Sequence, residues 1–189
     1  MIIQATPYGT KKEEPFAFTY SGDFTDERVD GIGDVTLNTS GTLVTTGKTV
    51  TVSVYILAGG GGGAQSSSAS SSNNASGGGG GNQTVEVELA PGMYEIVIGT
   101  GGTGLYSTNI GINSKAGTGG DTTAFGYTST GGIGAGRSYS MSAGTGGTPN
   151  GGDGSTGRTS GGSPNGGASN GGSADANSGG DGYVRITFS

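Results

Sequence analysis

The chain has 189 residues, 46 of them glycine, a formal net charge of −6, and no histidine or cysteine. That composition excludes disulfides, thiol catalysis, a Ser-His-Asp triad and the usual zinc and haem sites. No stretch approaches 18 apolar residues, so nothing reads as a membrane span. The few Lys and Arg residues are scattered, which argues against nucleic acid as a partner.

Leu, Ile, Val and Phe together supply only 30 residues. A large aliphatic core is therefore impossible, and any fold must pack backbone against backbone, which only glycine permits. Length predicts one domain. Residues 1–15 read as a flexible lead and 16–189 as a single glycine-rich β-domain: a strand-rich part over 16–98, a glycine-rich part over 99–182 and a closing strand over 183–188.

In the lead, Met1 to Pro7 lacks the basic region and apolar run of a secretory signal. Phe16–Tyr20 alternates and predicts a short strand. Asp23 to Gly33 reads as an acidic, glycine-containing turn. Within and just beyond it, Asp26, Asp30, Gly31 and Asp34 fall at places 1, 5, 6 and 9 of a calcium loop, but Arg28 and Leu37 occupy places 3 and 12, where ligands are needed. A solvated turn is the favoured reading; calcium held in a looser geometry by Asp26, Asp30 and Asp34, with Asp23 and Glu27 as well, is the weak alternative, and no other metal is expected.

Asp34–Asn38 and Thr42–Thr45 predict two more strands, and Thr49–Ala58 the strongest one, with Val50, Val52, Val54 and Ile56 on one face. That strand runs into Gly59–Gly63, which no Gly-Lys-Ser/Thr follows, so it is not a phosphate loop. A polar run leads to Gly77–Gly81. Gln83–Leu89 alternates again, Ala90-Pro91-Gly92 is a turn, and Met93–Ile98 returns as a strand, which predicts a hairpin over 83–98. Glu86 and Glu88 lie on its outer face. A glycosidase-like carboxylate pair among Glu86, Glu88 and Glu95 is less favoured than ordinary solubilising charge.

Gly99-Thr-Gly101-Gly102-Thr-Gly104 matches the dinucleotide fingerprint, with Asp121 about 20 residues on. In a chain one-quarter glycine such matches arise by chance, and no helix signal follows, so no cofactor is expected. From Gly146 to Asp175 run six five-residue units, GGTPN-GGDGS-TGRTS-GGSPN-GGASN-GGSAD, with glycine always second and Asn, Ser or Asp always fifth. Asn-Gly pairs within them are turn signals. The chain ends in the alternating strand Tyr183–Phe188, which argues that the glycines belong to a fold and are not a flexible tail. No window supports a helix. The fold class expected is all-β: a small antiparallel sheet or sandwich with a polyproline-II-like or turn-repeat glycine region, closed by the C-terminal strand.

The pieces Ser40-Gly41-Thr42, Val50–Gly63, Val85–Gly102, Gly119–Gly126 and Gly179–Ile186, in that order, resemble the glycine-rich domain of bacteriophage and prophage tail proteins. The resemblance covers about residues 20–189. It implies parallel polyproline-II layers whose loops at one end contact a host surface receptor. It also implies a virion component of the phage tail, made in the bacterial cytoplasm without a signal peptide. The chain departs from the family pattern in lacking a long N-terminal shaft.

Tyrosines in glycine-rich loops suit adaptable recognition, where rigid rings give contact area at low entropy cost. Tyr106, Asn109, Arg137 and Tyr139 are the receptor-binding candidates; rings that merely cover the glycine layers are the competing reading. The function expected is non-enzymatic recognition of a host surface protein or glycan. A purely structural fibre cap or assembly subunit, with no ligand, is the alternative. Partners would be a bacterial surface receptor, other tail or fibre proteins, and copies of the chain itself, as in a trimer. Ice binding is a third class, for which rows of Thr-X-Thr would be expected.

Overall fold

The computed structural model describes residues 13–66, 74–107, 114–137, 141–156, 161–166 and 178–189. All regular elements among them are strands: β1 (Ala17–Tyr20), β2 (Phe24–Asp26), β3 (Gly33–Leu37), β4 (Gly41–Thr46) and β5 (Val50–Leu57). There follow β6 (Ala64–Ser66), β7 (Asn74–Ala75), β8 (Asn82–Leu89), β9 (Gly92–Ile96) and β10 (Leu105–Ser107). The last are β11 (Thr122–Ala124), β12 (Tyr127–Ser129), β13 (Gly136–Arg137), β14 (Met141–Ser142) and β15 (Tyr183–Phe188).

The alternating segments build an antiparallel sandwich. One sheet has the order β2-β3-β15-β5-β8 and the other β1-β4-β9. Period-two patterning turns one face of each inward. Val35, Leu37, Leu43, Val52, Val54, Ile56, Leu89, Ile96, Val184 and Ile186 form the core between them. The closing strand β15 lies between β3 and β5, pairing Ile186 with both Val35 and Val54. The last strand of the chain therefore completes the centre of the sheet, not its edge.

Two local expectations are corrected. The segment 83–98 is not a hairpin within one sheet: β8 pairs with β5 and β9 pairs with β4. The Ala90–Gly92 turn is a sandwich corner, fastened by Tyr94 donating to the Ala90 carbonyl at 2.9 Å and by Thr45 Oγ1 donating to the same carbonyl at 2.5 Å. Likewise the acidic turn over 23–33 contains β2, which pairs with β3, and a Val29–Ile32 bridge. That bridge turns at Asp30 (φ 53°) and Gly31 (φ 83°). Phe125 (φ 53°) and Gly126 (φ 83°) make a matching turn between β11 and β12.

Beyond the sandwich the chain runs back and forth as glycine segments bonded in a three-residue rhythm. The Ala58 and Gly61 amides donate to Gly81 and Gly78; those of Gly59 and Gly62 donate to Gly120 and Gly117; that of Gly60 donates to Gly180. Residues three apart thus face the same neighbour, which is the three-residue turn of the polyproline-II helix. Its N–H and C=O groups radiate in all directions, so a buried segment needs partners on every side. Residues 58–63 have them: their carbonyls accept from Gly102, Gly132, Ala135 and Leu105, and from the Asn165 side chain.

Residues 74–81 form a second axis, sharing hydrogen bonds with segments around 130–133, 144–147, 152–155 and 162. Both axes are wholly buried. They contain the chain's two uninterrupted five-glycine runs, where neighbouring backbone leaves no room for a side chain. A Cβ on Gly61 would land far inside van der Waals contact with the Ile133 carbonyl oxygen, and one on Gly77 equally far inside contact with the Gly61 carbonyl oxygen.

The layers differ from the parallel arrangement that the resemblance implies. Residues 58–62 run antiparallel to 78–81 and to 117–120, but parallel to 102–105 and 132–135. Radial hydrogen bonding makes no strong demand on direction, and a chain that reverses at each connection supplies both senses.

Candidate functional site

Each glycine segment carries the chain from the sandwich to the opposite end or back. That end is built from β6, β7, β10, β13 and β14. The β6 strand pairs in parallel with β10 and antiparallel with β7, and β13 pairs with β14. Ala64, Ala75, Ala135 and Met141 form a small buried cluster there, with Leu105 packed against it. The Lys115–Gly136 and Ala75–Thr156 bridges close the group. Gln65 and Asn74 are buried in it at 2% and 1% exposure.

Of the sequence-derived binding candidates, two fall in this distal group. Tyr106 lies in β10, 40% exposed, beside the clustered Leu105. Arg137 lies in β13, its backbone in register with Met141 of the same cluster. Asn109 and Tyr139 lie outside the described residues. The distal anchors Ala64, Ala75, Ala135 and Met141 were missed. The available signal is that an alanine follows Gly63, precedes Ser76-Gly77 and ends Gly134-Ala135, marking where a glycine segment gives way to a strand.

The acidic candidates sit at the other end of the molecule and are separately engaged. Asp26 forms a two-point pair with Arg28 (2.7 and 2.8 Å), and that bonded guanidinium holds the Asp26 carboxyl below the usual range. The Arg28 guanidinium lies over the rings of both Phe18 and Phe188, at 4.7 and 4.8 Å from their centroids. Asp34 accepts from Thr187 Oγ1 at 2.7 Å and lies 3.7 Å from Arg185. Asp30 occupies the Val29–Ile32 turn. Among the described residues no group of three acidic side chains comes together as a metal site.

Other carboxylates act as parts of the lattice. Asp121, Asp153 and Asp181 accept from the Gly131, Gly146 and Gly101 amides at 2.9, 2.7 and 2.7 Å. The fingerprint-like run from Gly99 to Gly104 is thus a lattice segment, with Asp121 bonded to Gly131. Glu86, Glu88 and Glu95 are exposed. On the outer face of the five-stranded sheet, burial raises the Tyr55 hydroxyl pKa, with Tyr183 adding to the rise and Arg185 opposing it.

Threonines follow the lattice rhythm as well. Thr100 and Thr103, and likewise Thr145 and Thr148, are exposed three residues apart. Thr130 and Thr148 touch through their hydroxyls at 3.1 Å. The repeat on this surface is Thr-X-X-Thr, because outward positions recur every third residue in a polyproline-II helix, and not the Thr-X-Thr of a strand.

No curated protein matches the chain. A family model described as a glycine-rich domain matches residues 36–189, from β3 through the two axes to the closing strand. That span takes in the sandwich core and the glycine lattice alike, and the chain belongs to the glycine-rich domain family.

Proposed function

We propose that the chain is a phage or prophage tail-associated module that acts without catalysis, recognising a bacterial surface protein or glycan through its distal end. One observation carries this reading: the strands β6, β7, β10, β13 and β14, far apart in sequence, gather at one end of the lattice, and the exposed Tyr106 stands among them. Recognition surfaces commonly lie on loops held by a rigid scaffold. The sandwich end, where Pro15, Phe188 and Ser189 line one groove, would face the tail or fibre, and copies of the chain could assemble there as a trimer. Synthesis in the bacterial cytoplasm and incorporation into the virion belong to the same proposal.

The test is binding of the fluorescently labelled protein to a panel of bacterial strains. A strain-restricted signal that falls at least about tenfold with Tyr106→Ala plus Arg137→Ala supports the reading; loss of about 1.4 kcal/mol corresponds to that factor. Binding unaffected by both changes would sink the placement. The alternative, a structural cap or assembly subunit, is favoured by the two buried, densely hydrogen-bonded backbone axes. It predicts no binding to any strain together with a stable oligomer in sedimentation.

A further inference from the structure

Between the edge strands β8 and β9 lies a groove of about 370 Å³, lined by Val87, Glu88, Met93, Tyr94, Glu95, Phe125 and Gly126. It sits where the sandwich is open at the side, because β8 pairs only with β5 and β9 only with β4. The β11–β12 turn stands over one end and carries Phe125 against Tyr94, ring centroids 5.4 Å apart at 62°. Met93 leaves 75% of its surface exposed beside them.

The chemistry of this lining selects among ligands. Its charged groups are the two carboxylates of Glu88 and Glu95. Neither has an ion-pair partner among the described residues, whose ion pairs are Asp26–Arg28 and Asp34–Arg185. No Lys or Arg lines the groove. Tyr94 already donates its hydroxyl proton to the Ala90 carbonyl, at 2.9 Å. The side chains therefore offer acceptors and ring faces but no free strong donor. An anion would be repelled, and a neutral polyol would find little to accept from. A cation with several N–H donors on an apolar stem satisfies both features: carboxylates for the charge, and aromatic and thioether surface for the stem.

We propose that this groove binds an alkylammonium group of the kind carried by a lysine side chain. The site is separate from the distal end, so it would give the module a second contact, made at its flank with a basic segment of a partner.

The experiment follows the Met93 methyl signal by NMR while Nα-acetyl-lysine methylamide is titrated into the intact protein, with the uncharged norleucine analogue as control. The expected result is a saturable shift with the lysine compound only. Glu88→Gln plus Glu95→Gln should weaken it by about two- to twenty-fivefold, given that each exposed ion pair contributes roughly a 1.4- to fivefold factor. Phe125→Asn, which tolerates the left-handed backbone there but removes the ring, should weaken it too. Equal shifts from the norleucine analogue, no saturable shift, or a double Gln variant that binds as the parent does would each overturn the proposal. Because none of these changes touches the distal end, the outcome is independent of the recognition reading.

Discussion

Asn165 shows how a single side chain can stand in for backbone in a glycine lattice. It closes the fourth five-residue unit, and its Oδ1 accepts from the buried Gly80 amide at 2.8 Å. Its Nδ2 donates to the Ala58 and Gly180 carbonyls, both at 3.0 Å, and lies 3.2 Å from that of Asp181. An amide supplies two donor hydrogens and an uncharged acceptor from a single planar group. Asn165→Ala leaves a buried N–H and a buried C=O unpaired. At about 1–3 kcal/mol for each orphaned group, the loss should be about 2–6 kcal/mol, read as a fall in Tm of roughly 4–24 °C for a chain of this size. Asn165→Asp keeps the acceptor but sets a carboxylate against carbonyl oxygens, which raises its folded pKa. The stability it retains is then present below the unfolded carboxyl pKa and lost as pH rises through the folded one. The Asp variant should therefore lie closest to the parent near pH 4 and fall away towards pH 7 in thermal melts, whereas the deficit of the Ala variant stays flat. A deficit of Asn165→Asp that did not change with pH would contradict this geometry.

Among the elements, the lattice segments make different demands on glycine from those of the turns. Gly126 has φ +83° with nothing within 4 Å of an added Cβ, so Gly126→Ala meets only backbone strain, about 1–2 kcal/mol. Gly61 has no positive φ, but it is enclosed by backbone at Ile133 and Gly134. Ile133 cannot move without breaking the bond that its carbonyl accepts from Gly78 of the second axis, so Gly61→Ala should cost more than about 3 kcal/mol or prevent folding. Urea unfolding of the two variants checks the order, and a milder effect at Gly61 would refute the close-packed axis. Such close packing explains what could be read in the chain beforehand. The strands β3, β4, β5, β8, β9 and β15 were legible because period-two alternation is a property of neighbouring residues. The pairing of β8 with β5 and of β9 with β4 was not, since a Pro-Gly turn serves a hairpin and a sandwich corner equally well. Each glycine run was visible, whereas the neighbours of each run were not, because glycine has no side chain to specify a partner. Of the distal candidates, loop composition pointed to Tyr106 and Arg137, but the small Ala64, Ala75 and Met141 cluster that gathers their strands depends on contacts across the lattice.

At the scale of the whole molecule, two kinds of interior are joined without a seam. The chain passes between sandwich and lattice at residues 57–58, 81–82, 98–99, 121–122, 129–130 and 182–183, and the Gly99 amide donates to Thr122 Oγ1 across that boundary at 3.0 Å. Neither part can unfold while leaving the other's strands or segments in place, so a single cooperative transition is expected. Its heat capacity should be unusual. Exposed apolar surface raises ΔCp on unfolding and exposed polar surface lowers it. The sandwich buries apolar side chains, but the axes over 58–63 and 74–81 bury mostly peptide groups. At about 12–15 cal/mol/K per residue, an ordinary chain of this length would give about 2.3–2.8 kcal/mol/K. Here calorimetry should give less than about 2 kcal/mol/K, with one peak and a flatter dependence of stability on temperature. A normal ΔCp would mean that apolar burial dominates after all, and two resolved peaks would mean that the sandwich folds without the lattice. A single peak with low ΔCp is the signature of hydrogen-bonded backbone, packed as closely as glycine allows, taking the place of an aliphatic core over much of a fold.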